Sequence, residues 1–177
     1  MRTAEDCGVD LSGISIYTRG LASMFEIKTI LCPTDFSDGS LEALTQATDI
    51  ARKFGAEIYL VHVLPILPAL PDDPNFVFRV PEYERSLHGI AQKHLDEIAT
   101  ELTGKGIRTA TFVGHGDAAS EIVRIAEEQS VGLIVIATFG KTGWRRFAFG
   151  SVAERVVRLA TCPVLTVRSV DQSVAAD

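Results

Sequence analysis

Apolar and polar residues along this chain form blocks that switch repeatedly between the period of a strand and the period of a helix. The run Leu133–Ala137 is apolar without interruption, which is typical of a strand buried on both faces of a sheet. After Ser37, a favourable N-cap residue, apolar residues recur every three or four positions as far as Gly55, which predicts an amphipathic helix. The same criteria predict strands over 29–32, 57–64, 107–113, 133–138 and 163–167, and helices over 38–54, about 82–102, from 118 and from 151.

This alternation of strands and helices predicts the class of fold. Short hairpin signals such as Asn-Gly are absent, so successive strands are expected to be parallel and joined by helices. We therefore expect an α/β domain with a doubly wound, five-stranded parallel sheet and helices on both faces. Ligands of such sheets bind beyond the carboxyl ends of the strands, where strand order reverses, which singles out Asp35, Val63 and 137–140.

The pattern also suggests the limits of the domain. Residues 1–25 show no regular period and are expected to form a loosely ordered extension, with Met24 as a potential alternative start. The patterned domain spans 26–169, and 170–177 form a polar tail. The segment 65–81 holds five of the seven prolines together with several apolar residues, which predicts a long loop that serves as a lid or as a partner surface.

Composition narrows the classes of function. The 17 Lys and Arg residues against 23 Asp and Glu give a net charge of −6, which argues against nucleic acid as the main partner. No apolar stretch approaches the roughly 18–20 residues of a membrane span, so a cytoplasmic protein is expected. Cys7, Cys32 and Cys162 are far apart, and the last two are predicted to be small buried residues rather than metal ligands.

A glycine-containing segment follows the predicted fourth strand. Gly140 and Gly143 precede Gly150 and Ser151, which stand at the head of an amphipathic helix. Unpaired main-chain N–H groups and the helix dipole point at such a turn, which predicts an anion site suited to the phosphate of a nucleotide. Glycines in turns often do no more than allow the turn, so this interpretation rests on the strand before the segment and the helix after it. Three cations of this segment are either phosphate partners or a solvated cluster: Lys141, Arg145 and Arg146.

Four separate motifs, taken together, resemble the universal stress protein (UspA-like) family. They are ILCPTDFS at 30–37, VHV at 61–63, the Gly-x9-Gly-Ser-Val-Ala-Glu pattern at 140–154, and CPV at 162–164. The resemblance covers about 28–168. It implies a Rossmann-type sheet like that of the adenine nucleotide alpha hydrolases, and a homodimer formed through the last strand.

Members of this family either bind ATP or do not, and the binders share the motif Gly-x-x-Gly-x9-Gly-Ser/Thr. Here Gly140, Gly150 and Ser151 match, Ala137 replaces the first glycine, and Phe139 replaces a frequent histidine. The alanine adds one methyl group, which excludes a ligand only where backbone and ligand touch. By resemblance, the residues of the adenine-nucleotide site are Pro33, Thr34, Asp35, Val63, Ile136, Ala137, Gly140, Gly143, Gly150, Ser151 and Val152.

The family pattern also implies individual roles within this site. Asp35 lies at the adenosine end, where a carboxylate can accept hydrogen bonds from ribose hydroxyls or help to hold a metal ion. A simpler role for Asp35 is to cap a turn or the next helix. Val63 contacts the adenine through its backbone, and Ser151 offers a hydroxyl and an N–H group to the phosphates.

The four histidines are weaker candidates for chemistry. His62, on an apolar strand, is expected to be a hydrogen-bonded core residue rather than a catalyst. His88 and His94 are predicted on the solvated face of the long helix, and their spacing of six does not bring them together as metal ligands. His115, between two glycines at a strand end, is better placed near a ligand.

We therefore predict a cytoplasmic stress-response regulator that binds ATP or AMP, with or without magnesium. The chain lacks a P-loop motif, a Gly-x-Gly-x-x-Gly after the first strand and a Gly-x-Ser-x-Gly elbow, so a dedicated enzyme is not expected. Slow ATP hydrolysis would need a base, and Asp35 or His115 is the candidate. The alternative is a dimeric interaction module of the same fold that binds no nucleotide and acts on an unidentified protein partner.

Overall fold

The structure is a computed structural model, and it describes residues 27–66, 74–138 and 150–168; of 74–81 only the helical backbone is described. Within these ranges the strands are β1 Thr29–Pro33, β2 Glu57–Leu64, β3 Thr109–His115, β4 Leu133–Ala137 and β5 Val164–Val167. The helices are α1 Asp38–Phe54, α2 Pro74–Gly104, α3 Ala118–Glu128 and α4 Ser151–Leu159. The predicted extension at 1–25 and the tail at 170–177 lie outside the described residues.

The sheet is parallel throughout and has the strand order β3-β2-β1-β4-β5. The chain runs outward from β1 through β2 to β3, then returns to the other side of β1 for β4 and β5. The direction of winding therefore reverses between β1 and β4. This arrangement confirms the predicted doubly wound α/β fold and places the switch point beside the first strand.

Two apolar cores, one on each face of the sheet, hold the layers together. Ile30 and Cys32 of β1 point to the face covered by α1 and α2, whereas Leu31 between them points to the face covered by α3 and α4. All three side chains are fully buried, as the unbroken apolar pattern predicted. Burial raises the pKa of the Cys32 thiol to about 12, so this cysteine is inert in the folded protein.

Local capping signals placed the starts and ends of several helices correctly. The Ser37 side chain accepts a hydrogen bond from the Ser40 N–H, and Asp117 accepts from the Ser120 N–H, so these residues cap α1 and α3 as predicted. Gly55 adopts φ 68° and ends α1, in the left-handed region where glycine is least strained.

The predicted loop at 65–81 is wrong for its last eight residues, because α2 begins at Pro74 rather than near 82. Proline fits the first helical position, where no N–H is needed, but Pro81 lies inside the helix and removes one internal hydrogen bond. That interior proline is the reason the pattern indicated a loop. The third strand is displaced by two residues, to Thr109–His115, because its main chain pairs with β2 as far as Leu64↔His115. No helix among the described residues is long and apolar enough to span a membrane.

Candidate functional site

A cavity of about 260 Å³ lies at the carboxyl ends of β1, β2 and β4, with α3 and α4 as its side walls. Every predicted site residue that the structure describes lines it: Pro33, Thr34, Asp35, Val63, Ile136, Ala137, Gly150, Ser151 and Val152. Gly140 and Gly143 lie outside the described residues. The lining also includes Thr138, from the predicted edge at 137–140, and residues that the sequence did not indicate, namely Ser40, Val61, His62, Ala118, Ile122 and Ala153.

Pro33 explains why the sheet opens at this point. The Thr34 N–H donates to the Val61 carbonyl at 2.9 Å, so the backbone of Pro33, one residue earlier, faces β4. Proline has no N–H to give to β4, and the pairing of β1 with β4 ends at Leu31↔Ile134, whereas the pairing with β2 continues to Pro33↔Val61. The missing donor therefore lets β1 and β4 diverge and creates the crevice.

The backbone of Val63 occupies the floor of the crevice on the β2 side. Because the Val61 carbonyl faces β1, the main-chain groups of Val63, two residues on, face the same way, beyond the last paired residue of β1. The Thr34 carbonyl, the next acceptor along that edge, takes a hydrogen bond from His62 Nδ1 at 2.8 Å. Val63 thus presents an N–H and a carbonyl at the cavity, a pair that suits the donor and acceptor edge of a purine.

A turn over residues 34–37 holds the Asp35 carboxylate at the cavity. Asp35 Oδ1 accepts hydrogen bonds from the Ser37 N–H, at 3.1 Å, and from the Ser37 hydroxyl. Thr34 Oγ1 accepts from the Phe36 N–H at 3.0 Å and bonds to the Ser40 hydroxyl at 2.9 Å. Phe36 has φ 60°, a left-handed conformation that non-glycine residues adopt only when their surroundings impose it. Asp35 therefore caps the turn, one of the two roles that the sequence left open, and it also lines the cavity.

The amino terminus of α4 is open towards the cavity. Its N-cap is Gly150, at φ −68° and ψ 146°, which has no side chain to accept from the first N–H groups, in contrast to Ser37 of α1 and Asp117 of α3. The first internal bond of the helix runs from the Glu154 N–H to the Gly150 carbonyl, so the N–H groups of 151–153 have no acceptor within the helix. Together with the helix dipole, these groups form an anion-binding end.

An ion pair ties the two side walls together. Arg155 of α4 reaches Asp117 of α3, with 2.7 Å between a guanidinium nitrogen and Oδ2. The hydrogen bond from Arg155, assisted by bonds from the Ser120 side chain and backbone, lowers the pKa of Asp117 to about 2. Because Ala118 and Ile122 of α3 line the cavity, the pair helps to set the distance between its walls.

The four histidines differ in their burial and in the groups that they contact. His62 is half-buried and its ring stacks on Phe36 with centroids 4.5 Å apart, so it has the predicted structural role. His94 is exposed and lies 5.3 Å from the Phe36 ring. His88 pairs with His115 instead of His94, with 3.3 Å between Nδ1 and Nε2. Within the described ranges, no group of three or more His, Cys, Asp or Glu side chains is already arranged to hold a metal ion.

Comparisons with known proteins agree with the geometry. Residues 26–168 match the sequence model of the universal stress protein family. A universal stress protein of Methanothermobacter thermautotrophicus is 47% identical over 149 residues, which are 81% of this chain and 97% of that protein. Universal stress protein MJ0531 of Methanocaldococcus jannaschii is 41% identical over 143 residues, 80% of this chain and 82% of that protein.

Solved structures show the same fold. The protein MJ0577 of Methanocaldococcus jannaschii superposes with a TM-score of 0.69 at 29% identity, over 82% of this chain and 99% of that chain. A universal stress protein in complex with cAMP (TM-score 0.57, 22% identity) covers 81% of this chain and 98% of its own. One from Archaeoglobus fulgidus in complex with dAMP (TM-score 0.54, 23% identity) covers the same shares, 81% and 98%. From its sequence and its architecture, this chain belongs to the universal stress protein family.

Proposed function

We propose that this protein binds an adenine nucleotide, ATP or AMP, in the cavity and acts as a cytoplasmic stress-response regulator rather than as a dedicated enzyme. The observation that carries the proposal is the pairing of two features in one cavity. The uncapped amino terminus of α4 provides an anion site, and the free main-chain edge at Val63 provides a site for a base. Apolar walls between them, including Ile122 and Ile136, suit a largely buried ligand.

These two features give the proposed nucleotide an orientation. The adenine would lie against Val63, the ribose hydroxyls near Asp35 and the phosphates at Gly150, Ser151 and Val152, all of which line the cavity. None of the described lining residues is a lysine or an arginine, so among the described groups the α4 dipole is the charge partner of the phosphates. The cations of the sequence motif, at 141–146, lie outside the described residues.

Relatives support the choice of an adenine nucleotide. The two complexes with cAMP and dAMP hold adenine nucleotides on this fold, although their identity to this chain is only 22% and 23%. The specific argument for this chain remains the α4 terminus and the open ends of β1 and β2. Asp35 is a weak candidate for a catalytic base, because the Ser37 hydroxyl and N–H already engage Oδ1. We therefore expect no ATP turnover above that of buffer.

Calorimetric titration of the purified protein with ATP, ADP, AMP and adenosine, each with magnesium, tests the proposal. We expect saturable one-to-one binding of the phosphorylated ligands and weaker binding of adenosine, because adenosine leaves the α4 terminus unused. Absence of binding by ATP, ADP and AMP at millimolar concentration would overturn the proposal. That result would favour the alternative, an interaction module of the same fold that acts on a protein partner.

We also infer that the protein is a homodimer joined through β5. This strand lies at one edge of the described sheet, and exposed edge strands are normally paired or covered. Leu165 of β5 is 40% exposed, so this edge strand carries an apolar side chain at the surface. A two-fold axis perpendicular to β5 would pair the two copies of this strand antiparallel and bury Leu165 in both.

Light scattering should therefore give twice the chain mass at micromolar concentration. Leu165→Lys should shift the protein towards the monomer, because the new charge would lie in the interface. A wild-type protein that stays monomeric at high concentration would refute the dimer and leave the nucleotide proposal intact.

A further inference from the structure

Two histidines that are remote in sequence meet at the surface. His88 lies on α2 and His115 ends β3, 27 residues later, and both side chains are exposed. Their rings are nearly parallel, at 7°, with centroids 5.5 Å apart and 3.3 Å between His88 Nδ1 and His115 Nε2. One of the two nitrogens must lack a proton for this contact to be an N–H···N hydrogen bond, so the pair includes a nitrogen lone pair at the surface.

The separation of the two nitrogens matches that of two imidazoles on one metal ion. With metal–nitrogen distances of about 2.0–2.1 Å and a tetrahedral angle, two ligand nitrogens lie about 3.3–3.4 Å apart. The backbones of α2 and β3 therefore already place the two nitrogens at the required distance. Imidazole nitrogen favours zinc, nickel and copper over magnesium or calcium.

The surroundings of the pair supply further ligands and anchoring. Glu84 lies one helical turn before His88 on the same face of α2, and it lines a cleft of about 360 Å³ together with His115. The Gly116 N–H donates to the Leu64 carbonyl at 2.8 Å, which fixes the strand end that carries the His115 ring. No three ligands are already in place among the described residues, so Glu84 must change rotamer or water must complete the coordination.

We propose that His88 and His115 form a binding site for a divalent transition-metal ion, zinc or nickel, that joins α2 to the end of β3. This site is separate from the nucleotide cavity, because the cleft and the cavity share none of their described lining residues. The ion would fasten the amino-terminal half of α2, in which nearly all side chains from 82 to 90 are exposed, to the sheet. It would do so next to Pro65 and Ile66, where the chain leaves β2.

The test is calorimetric titration of untagged, chelator-treated protein with zinc chloride and with nickel chloride. We expect saturable one-to-one binding, and His88→Gln and His115→Gln should each weaken it by at least about tenfold. His94→Gln is the matched control, because His94 is exposed on the same helix but outside the pair, and it should bind as the wild type does. Circular dichroism of each variant verifies that it is folded.

Two titration results would overturn the proposal, and so would one NMR result. The titration results are wild-type protein that binds neither ion at millimolar concentration, and a His94→Gln variant that loses as much affinity as His88→Gln. Nitrogen NMR of the imidazoles gives an independent readout, since zinc should shift Nδ1 of His88 and Nε2 of His115 and leave His62 unchanged. An unchanged pair of spectra on addition of zinc would show that the two rings form a hydrogen bond only.

Discussion

A substitution at Gly150 should have opposite effects on the stability of α4 and on its capacity to bind a phosphate. Its backbone, at φ −68° and ψ 146°, lies in the extended region that any residue can adopt, so Gly150→Asp introduces no backbone strain. Aspartate is a favoured N-cap, and its carboxylate would accept hydrogen bonds from the N–H groups of Val152 or Ala153. These are the groups that we assign to the phosphates.

The expected effects on stability and on binding have opposite signs. A side-chain cap in place of glycine adds a few tenths of a kcal/mol, and a negative charge at the helix amino terminus adds about 0.3–1 kcal/mol. Unfolding free energy should therefore rise by about 1 kcal/mol. A carboxylate about 5 Å from a phosphate charge, at an effective dielectric constant of 20, is repelled by about 3 kcal/mol, or about two orders of magnitude in affinity.

Urea unfolding and calorimetric titration with ATP, AMP and adenosine measure both effects on the same samples. Gly150→Asn is the matched control, because asparagine caps equally well without a charge and should lose less affinity for ATP than the aspartate variant. Adenosine binding should change little in either variant. Gly150→Asp protein that binds ATP as tightly as the wild type would refute the assignment of the phosphates to the α4 terminus.

Three further predictions concern other parts of the molecule. Pro33→Ala restores an N–H opposite the Val135 carbonyl, so it should extend the pairing of β1 with β4 and weaken ATP binding with little change in stability; undiminished affinity would contradict this explanation of the crevice. Leu95→Ala should lower the unfolding free energy by about 2–5 kcal/mol in urea, because Leu95 is fully buried. Ile90→Ala, on the same helix but 54% exposed, should change the unfolding free energy by less than about 0.5 kcal/mol. Equal losses of unfolding free energy in the two variants would contradict the burial of Leu95. Cys32 should resist iodoacetamide at pH 8, because burial raises its thiol pKa to about 12; rapid labelling of the native protein would contradict that burial.

Much of the fold and the site could be predicted because the relevant signals are local. The caps Ser37 and Asp117 and the stop at Gly55 act within one helical turn, so the sequence displays them directly. Asp35 and Val63 could be predicted to lie together because carboxyl ends of parallel strands meet at one edge, whereas the other lining residues were predicted from the family resemblance.

The sequence signals failed where distant parts of the chain decide the outcome. Pro74 and Pro81 have the local character of a loop, yet α2 extends through both. Ala118 and Ile122 line the cavity because of the rotation of α3 about its axis, which the periodic pattern does not fix relative to the strand ends. The contact between His88 and His115 depends on how α2 crosses β3, and no spacing in the sequence expresses it.

The central position of β1 has a consequence for how the protein is made. Gly132, whose N–H donates to the Thr29 hydroxyl of β1, lies 103 residues later in the chain. A ribosome needs about 5–20 s to synthesise that many residues. During that interval β1 has one edge paired with β2, and its other edge is unpaired. Side chains of β1 that are fully buried in the finished domain are still exposed at this stage. An unpaired strand edge with exposed apolar side chains favours aggregation on or near the ribosome. The α4 terminus to which we assign the phosphates, at 151–153, is synthesised later still. A nucleotide can therefore stabilise only the finished domain, by mass action on its folded state, and cannot protect the half-built sheet.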